Sequence, residues 1–288
     1  MKKITSLLAA GFAAICIQSA SAGLISLYQY DNNLSDTVRG AGGAASLVSG
    51  SSNYVTGKVG QAFDFNGSTF MRAPQAAGGL SAFSISAWVN FDNSTQWGTI
   101  VKNWGSTQIG AFHFGLTDNN FTLSNSIGST GGENWVVSPS ALATDTWYHT
   151  AVTFGPSLTQ KLYINGTQVD SNAASGTIVN TLFPYMSMGG KLQDDQISSA
   201  GGWLDGYMDE LAFFNQELTS SDITGIHNAG LAGNSITTLG YSVEPYGAAA
   251  VPEPGQVAAS LLLLSGIGGY VFLKRRKAAK PALMPTAA

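Results

Sequence analysis

The stretch that decides the fold is residues 145–170, which read Asp-Thr-Trp-Tyr-His-Thr-Ala-Val-Thr-Phe-Gly-Pro-Ser-Leu-Thr-Gln-Lys-Leu-Tyr-Ile-Asn-Gly-Thr-Gln-Val-Asp. Aromatic and β-branched residues alternate from Trp147 to Phe154, and this period of two is typical of a β-strand. A Gly-Pro break follows, and then an apolar run ends at Asn165-Gly166. This dipeptide between apolar runs predicts a two-residue hairpin turn, because a type I′ turn needs a positive φ at both central residues.

Similar patterns of short strands continue on both sides of this stretch. From Phe83 to Phe91, apolar residues alternate with polar ones except at Trp88, and Asn66-Gly67 predicts a turn between two paired short strands. A short capped helix is predicted from Leu218, and it ends before Gly230. About a dozen short strands separated by turn signals indicate an all-β protein with an antiparallel β-sandwich. Further strands are predicted at residues 24–30, 99–102, 111–116, 120–125, 135–138, 185–189 and 201–214.

Four motifs in this region resemble those of laminin-G-like, concanavalin A-like lectin/glucanase domains. They are Trp147-Tyr-His-x-Ala-Val with the following Leu-Tyr-Ile-Asn-Gly-x-x-Val, Gly57-x-x-Gly-x-Ala-x-x-Phe-x-Gly, Phe83-Ser-Ile-Ser-Ala-Trp-Val and Gly206-Tyr-Met-Asp-Glu-Leu. The resemblance covers residues 24–227 and implies a jelly-roll β-sandwich.

The N-terminus has the features of a secretory signal peptide. Two lysines precede an apolar run, and Ala20-Ser21-Ala22 provides a small-residue cleavage site, so we predict that signal peptidase removes residues 1–22 after Ala22. A buried helix is the alternative. The only cysteine, Cys16, lies in this segment, so the exported chain is predicted to form no disulfide.

The C-terminus combines three features. Val251-Pro252-Glu253-Pro254 precedes an apolar run over residues 257–273, and a basic cluster that includes Arg275 and Arg276 follows. The prolines keep the chain extended around Glu253. The apolar run is at the lower limit for a transmembrane helix, and its basic end is predicted to be cytoplasmic.

This triple resembles the PEP-CTERM sorting signal of Gram-negative bacteria. The resemblance implies recognition by an exosortase, at least transient insertion in the inner membrane, and delivery to the cell envelope, cell surface or extracellular matrix. A plain C-terminal membrane anchor is the alternative. We therefore predict a jelly-roll domain over residues 23–230, a Gly-, Ala- and Ser-rich spacer over residues 231–250, the sorting signal over residues 251–277 and a cytoplasmic tail over residues 278–288.

The composition excludes some functions. With 288 residues and 44% apolar content, the chain can bury a full core. Residues 23–250 contain six basic and sixteen acidic residues, a net charge of −10. This charge argues against nucleic-acid binding, which depends on neutralising phosphates.

No catalytic motif is present. The Glu-x-Asp-x-x-Glu strand of the glucanase branch is absent, and the adjacent residues Asp209 and Glu210 are predicted to point to opposite faces of a strand. They therefore cannot form the closely spaced carboxylate pair of a retaining glycosidase. The sequence has no Gly-x-Ser-x-Gly elbow, and His113, His149 and His227 lack metal-ligand spacing. We predict that the protein is not an enzyme.

Two kinds of binding residue remain. The hypothesis for a metal is that Asp31 or Asp36, after the first strand, shares a structural calcium ion with Asp209 of the closing strand, because calcium prefers hard oxygen ligands. An Asx-turn at Asp31 and a sheet-edge hydrogen bond at Asp209 are the alternative. For a ligand, the candidates are four tryptophans near predicted loops or strand ends, where sandwich domains carry binding sites: Trp97, Trp104, Trp135 and Trp203.

The leading functional hypothesis is a non-catalytic module that binds carbohydrate or an exopolysaccharide matrix. The alternative is a structural matrix or adhesion protein that binds other proteins, and a polysaccharide-active enzyme ranks third.

Overall fold

The computed structural model describes residues 22–77, 80–93, 97–117, 122–179 and 183–244. The predicted signal peptide up to Ser21 lies outside these residues, as do the end of the spacer, the sorting signal, the apolar run over residues 257–273 and the tail. In the described part of the chain, no helix is long and apolar enough to cross a membrane. The described elements are β1 Gly23–Tyr28, β2 Ser46–Ser49, β3 Tyr54–Thr56, β4 Gln61–Asn66, β5 Phe70–Pro74, β6 Phe83–Asn93, β7 Thr99–Lys102, β8 Phe112–Thr117, β9 Thr122–Ser129, β10 Gly132–Ala141, β11 Trp147–Phe154, β12 Thr159–Ile164, β13 Thr167–Ala173, β14 Tyr185–Met188, β15 Asp205–Phe214, α1 Ser220–Leu231, a 3₁₀ turn Ile236–Leu239 and β16 Ser242–Val243.

These strands form two sheets packed face to face. The nine-stranded sheet has the order β13-β12-β11-β6-β15-β1-β16, with β4 paired to β15 and β3 paired to β4. The seven-stranded sheet has the order β10-β9-β8-β7-β14-β5-β2. The pairing between the strands is antiparallel except between β1 and β16. The predicted all-β antiparallel sandwich is therefore confirmed.

The alternating pattern of β11 separates two apolar clusters. Val152 and Phe154 belong to the main core, which lies between the sheets. Ala151 points the other way and belongs to a second cluster, in which Ile223 and Ile226 of α1 cover the outer face of the nine-stranded sheet. The predicted helix thus covers part of the outer face of that sheet.

The two Asn-Gly dipeptides have different structures. Asn165 and Gly166 have φ values of 50° and 78° and join β12 to β13, which confirms the predicted hairpin. The predicted pairing around Asn66-Gly67 is wrong, because β4 belongs to the nine-stranded sheet and β5 to the seven-stranded sheet. Of this pair only Gly67 has a positive φ, and the Asn66 side chain instead accepts a hydrogen bond from Ser68 N at 3.3 Å.

The chain after α1 packs against the sandwich, whereas we predicted a spacer from residue 231. The Glu210 carboxylate accepts hydrogen bonds from Ile236 N at 2.8 Å and from Ser235 Oγ at 2.9 Å. Ile236 is buried in the second cluster, and β16 pairs with β1. Glu210 lies at a bulge of β15, at the point where this strand changes its neighbour from β4 to β1.

Candidate functional site

A cleft of about 270 Å³ opens on the outer face of the seven-stranded sheet. Phe112 and Phe114 of β8 point into the main core, so His113 between them points outward into the cleft. Trp135 of β10 likewise precedes Val136, which points into the core. Trp97, loop 103–109 and residues 191–202 complete the lining: Trp97, Thr99, Lys102, Trp104, Gly105, Ser106, Thr107, Gln108, Ile109, His113, Glu133, Trp135, Lys191 and Gly202.

Asp194 ties two walls of the cleft together. Its carboxylate accepts hydrogen bonds from Thr107 Oγ1, from Thr107 N at 3.1 Å and from Gln108 N at 3.2 Å. These bonds, with the Thr107 hydroxyl first, lower the pKa of Asp194 to about 2. Backbone hydrogen bonds between Lys191 and residues 200 and 201 close the second wall into a hairpin. Hydrogen bonds within the protein therefore hold both walls of the cleft in place.

Aromatic rings line much of the cleft. Trp97 stacks on His113 with a centroid distance of 5.3 Å and an interplanar angle of 25°. Trp135 lies 5.8 Å from Trp97 and 6.3 Å from Trp104, measured between ring centroids. The structure thus brings three of the four candidate tryptophans together. Trp203 is not part of this group, because its ring packs edge-on against Phe70 at 5.2 Å.

Of the charged groups that line the cleft, the carboxylate has a hydrogen-bond partner, whereas the two lysines have no ion-pair partner among the described residues. The carboxylate of Glu133 accepts a hydrogen bond from Trp135 Nε1 at 3.0 Å. In the described residues the salt bridges are Arg39–Asp36 and Lys161–Glu217, so neither Lys102 nor Lys191 has an ion-pair partner there. Burial, and then repulsion by Lys191, lower the pKa of Lys102 to about 7.

Polar groups without partners also face the cleft. Burial, followed by repulsion from Lys102, lowers the pKa of His113 well below its usual range, so this imidazole is neutral and offers one donor and one acceptor. Thr99 Oγ1 and Trp104 Nε1 are buried and have no hydrogen-bond partner in the described part of the chain. Buried polar groups are normally hydrogen-bonded, so the described residues that line the cleft include two polar atoms without the usual partner.

Comparison with known proteins assigns the fold to a family. A family model, Laminin_G_3 of the concanavalin A-like lectin/glucanases superfamily, matches residues 65–224. The chain belongs to this superfamily. No curated protein matches the chain in sequence.

Several solved structures resemble this concanavalin A-like domain. Domain 4 of AbnA, a GH43 extracellular arabinanase from Geobacillus stearothermophilus solved in complex with arabinotriose, is 25% identical with a TM-score of 0.58, and the match covers 72% of this chain and 99% of that one. The binding domain of Paraclostridial Mosquitocidal Protein 1 is 16% identical (TM-score 0.55, 72% of this chain and 52% of that one). A botulinum neurotoxin type C structure is 18% identical (TM-score 0.54, 73% and 51%). The last two identities support a shared fold alone, and the match spans about half of those chains.

We predicted that Asp31 or Asp36 shares a calcium ion with Asp209, and the surroundings of these carboxylates bear on that prediction, which stays a prediction for Asp31 with Asp209. Asp36 is buried, and its oxygens accept hydrogen bonds from Leu27 N, Val38 N, Arg39 N, Ser26 Oγ and Arg39 Nε. A carboxylate surrounded by donors in this way does not fit a cation. Within the described residues, no three His, Cys, Asp or Glu side chains are grouped so that they could hold a metal ion.

Asp31 and Asp209 have a structural role in this superfamily domain. Asp31 Oδ1 accepts a hydrogen bond from Gln61 N at 2.8 Å, and Asp209 Oδ2 accepts one from Val59 N at 2.7 Å. Both carboxylates therefore hold the same turn, which precedes β4. Asp209 and Glu210 bind different segments, and neither lines the cleft.

Sequence reasoning missed the four residues with titratable side chains that line the cleft: Lys102, His113, Glu133 and Lys191. The outward position of His113 could have been found from the alternation in Phe112-His113-Phe114. Lys102 is the charged end of a strand that otherwise contains Thr99, Ile and Val, and this pattern is only a weak indication of a cleft residue. Nothing local marks Lys191, since the hairpin that carries it reaches the cleft only through tertiary contacts.

Proposed function

We propose that this protein is a non-catalytic module that binds carbohydrate in the aromatic cleft. The observation that carries the proposal is the convergence of Trp97, Trp104, Trp135 and His113 on one outer sheet face. Flat apolar ring faces match the C–H faces of a sugar, and the surrounding donors and acceptors match its hydroxyl groups.

The cleft is suited to binding because its walls are already held in place. Asp194 links loop 103–109 to the 191–202 hairpin, so little ordering entropy is lost when a ligand enters. Trp97 is an exposed residue, with 39% of its surface accessible, and offers a contact face at the rim. The arabinotriose bound to domain 4 of AbnA supports a carbohydrate ligand for a domain of this fold.

The carboxylates argue for binding without catalysis. Glu133 is the carboxylate among the lining residues, and its Oε2 is hydrogen-bonded to Trp135. Glycoside hydrolysis by the usual route needs two carboxyl groups across the scissile bond. The similarity to toxin binding domains is consistent with this part of the proposal.

The proposed location is the cell envelope, cell surface or matrix of a Gram-negative bacterium. It rests on the sequence features of the two ends: a signal peptide for export and a PEP-CTERM-like tail for recognition by an exosortase. The partner would be an extracellular polysaccharide.

A glycan array with purified full-length protein tests the proposal. We expect saturable binding to one glycan class and at least a tenfold loss of affinity in Trp97→Ala, as for an aromatic residue central to an interface. Trp147→Ala is the matched control, because Trp147 contacts Tyr207 in the nine-stranded sheet. Absence of binding to any glycan, or binding that Trp97→Ala leaves unchanged, would overturn the proposal. Self-association insensitive to free sugars would favour a structural matrix protein instead.

A further inference from the structure

We infer that the cleft selects an acidic glycan, with a sugar carboxylate held against Lys102 and Lys191. The inference rests on the proposed function, since it names the ligand class of the same cleft.

The distribution of cations supports this inference. The described residues contain six Lys and Arg in a domain whose net charge is −10 over residues 23–250. Arg39 and Lys161 are paired with carboxylates. Two of the other four line the same cleft, although the domain as a whole repels anions. Binding of a polyanion therefore requires a local site rather than the overall field of the protein.

Lys102 is the cation most deeply placed in the cleft wall. Its side chain is buried, with 5% of its surface accessible, and it lines the cleft. Its ammonium lies 5.2 Å from the ring centroid of Trp104, and no hydrogen bond from it to another described residue is present. Glu133 and Asp194 attract this ammonium without forming a salt bridge with it, and a buried ammonium that lacks a direct ion-pair partner is costly. An incoming carboxylate would supply that partner and would relieve the repulsion by Lys191.

The carboxylates near these lysines are already engaged. Glu133 accepts from Trp135 Nε1, and Asp194 accepts from Thr107 and Gln108. Neither forms a salt bridge with Lys102 or Lys191. His113, another polar group of the cleft, is neutral and can hydrogen-bond the sugar without repelling its carboxylate.

Calorimetric titration of the full-length protein tests the inference. The probes are trigalacturonate and its methyl ester, which has the same backbone without the charge. We expect the acid to bind at least tenfold more tightly than the ester, since charge-assisted contacts are the stronger ones. Lys102→Met and Lys191→Gln should each remove most of this preference. Lys161→Gln, which removes the same charge from β12, is the control and should leave the preference unchanged.

The outcomes separate this inference from the proposed function. Equal affinity for acid and ester, both lost in Trp97→Ala, would overturn acid selection and leave carbohydrate binding standing. Binding of neutral glycans on the array, with neither galacturonide form bound, would do the same. No binding of any glycan would overturn both.

The pH dependence of binding provides a second readout. Lys102 is faced by Lys191, His113, Glu133 and Asp194, and it loses its proton as the pH rises above about 7. The sugar carboxylate stays ionised, so the affinity for trigalacturonate should fall severalfold between pH 6 and pH 9. Lys102→Met should flatten this dependence. An affinity that is constant with pH in the wild type, together with an unchanged acid preference in Lys102→Met, would contradict contact between the ligand and Lys102.

Discussion

Asp209 lies fully buried in β15, where Oδ2 accepts from Val59 N at 2.7 Å and Oδ1 has no partner in the described residues. Burial, the largest cause, raises the pKa of this carboxyl group to about 8. The folded protein therefore keeps a proton that the unfolded chain releases near pH 4. Because the folded state binds more protons, this residue makes the free energy of unfolding fall as the pH rises from about 4 to about 8.

The variant Asp209→Asn tests this expectation. Asparagine keeps an acceptor for Val59 N but does not titrate. We expect the free energy of unfolding of the variant, relative to the wild type, to increase between pH 5 and pH 8 by a few kcal/mol, at about 1.4 kcal/mol per pKa unit. Urea denaturation of both proteins at several pH values measures the difference, in which shared titrations such as that of His149 cancel. A difference that does not change with pH would show that Asp209 is ionised in the folded state.

The four candidate tryptophans show which part of the cleft could be predicted from single residues of the sequence. The sequence indicates that Trp97, Trp104 and Trp135 lie near loops or strand ends, and these three meet in the cleft. It does not distinguish them from Trp203, because convergence depends on the order β10-β9-β8-β7 and on loop 103–109 folding over that sheet. The burial of Lys102 depends on the same tertiary contacts, so no local sequence pattern predicts it.

At the scale of elements, the turn between β12 and β13 allows a matched pair of substitutions. Gly166 has a φ of 78°, and a Cβ there would lie 3.2 Å from His227 Nδ1. We expect Gly166→Ala to lower the free energy of unfolding by about 1 kcal/mol or more. Gly225 in α1 has open space around its Cβ position, so Gly225→Ala should raise it by about 0.5–1 kcal/mol. Chemical denaturation measures both, and equal effects of the two substitutions would contradict the assigned turn.

The two Asn-Gly dipeptides show why the sequence predicts one hairpin correctly and the other wrongly. After β12 the strand pattern continues directly beyond Gly166, and β13 pairs back on β12. After β4 the chain leaves one sheet and enters the other, where β5 pairs with β14 and β2. A dipeptide carries local turn geometry, whereas the choice of sheet also depends on distant partners, β15 for β4 and β14 for β5. Alternation and turn signals therefore predict strands better than they predict strand pairing.

Across the whole molecule, the outer faces of the two sheets have different roles. The nine-stranded sheet is partly covered by α1 and by the residues that follow it, in which Ile223, Ile226 and Ile236 are buried. The seven-stranded sheet carries the open cleft. The motifs around Trp147 and Asp209, from which the family can be predicted in the sequence, lie in the nine-stranded sheet. The cleft lies on the other sheet, so the fold could be predicted from the sequence more fully than the site.

The true end of the domain can be tested by truncation. Composition places the boundary at residue 230, but the Glu210 carboxylate is buried and receives its donors from Ser235, Ile236 and Gln29. Removing residues 231–244 would leave that carboxylate short of donors and would expose the apolar surface under Ile236. We expect a chain of residues 23–230 to be less stable than residues 23–244 by about 3 kcal/mol or more, because an under-satisfied buried charged group adds to lost apolar burial. Urea denaturation of both chains measures this difference, and equal stability would show that the segment after α1 contributes nothing to the fold.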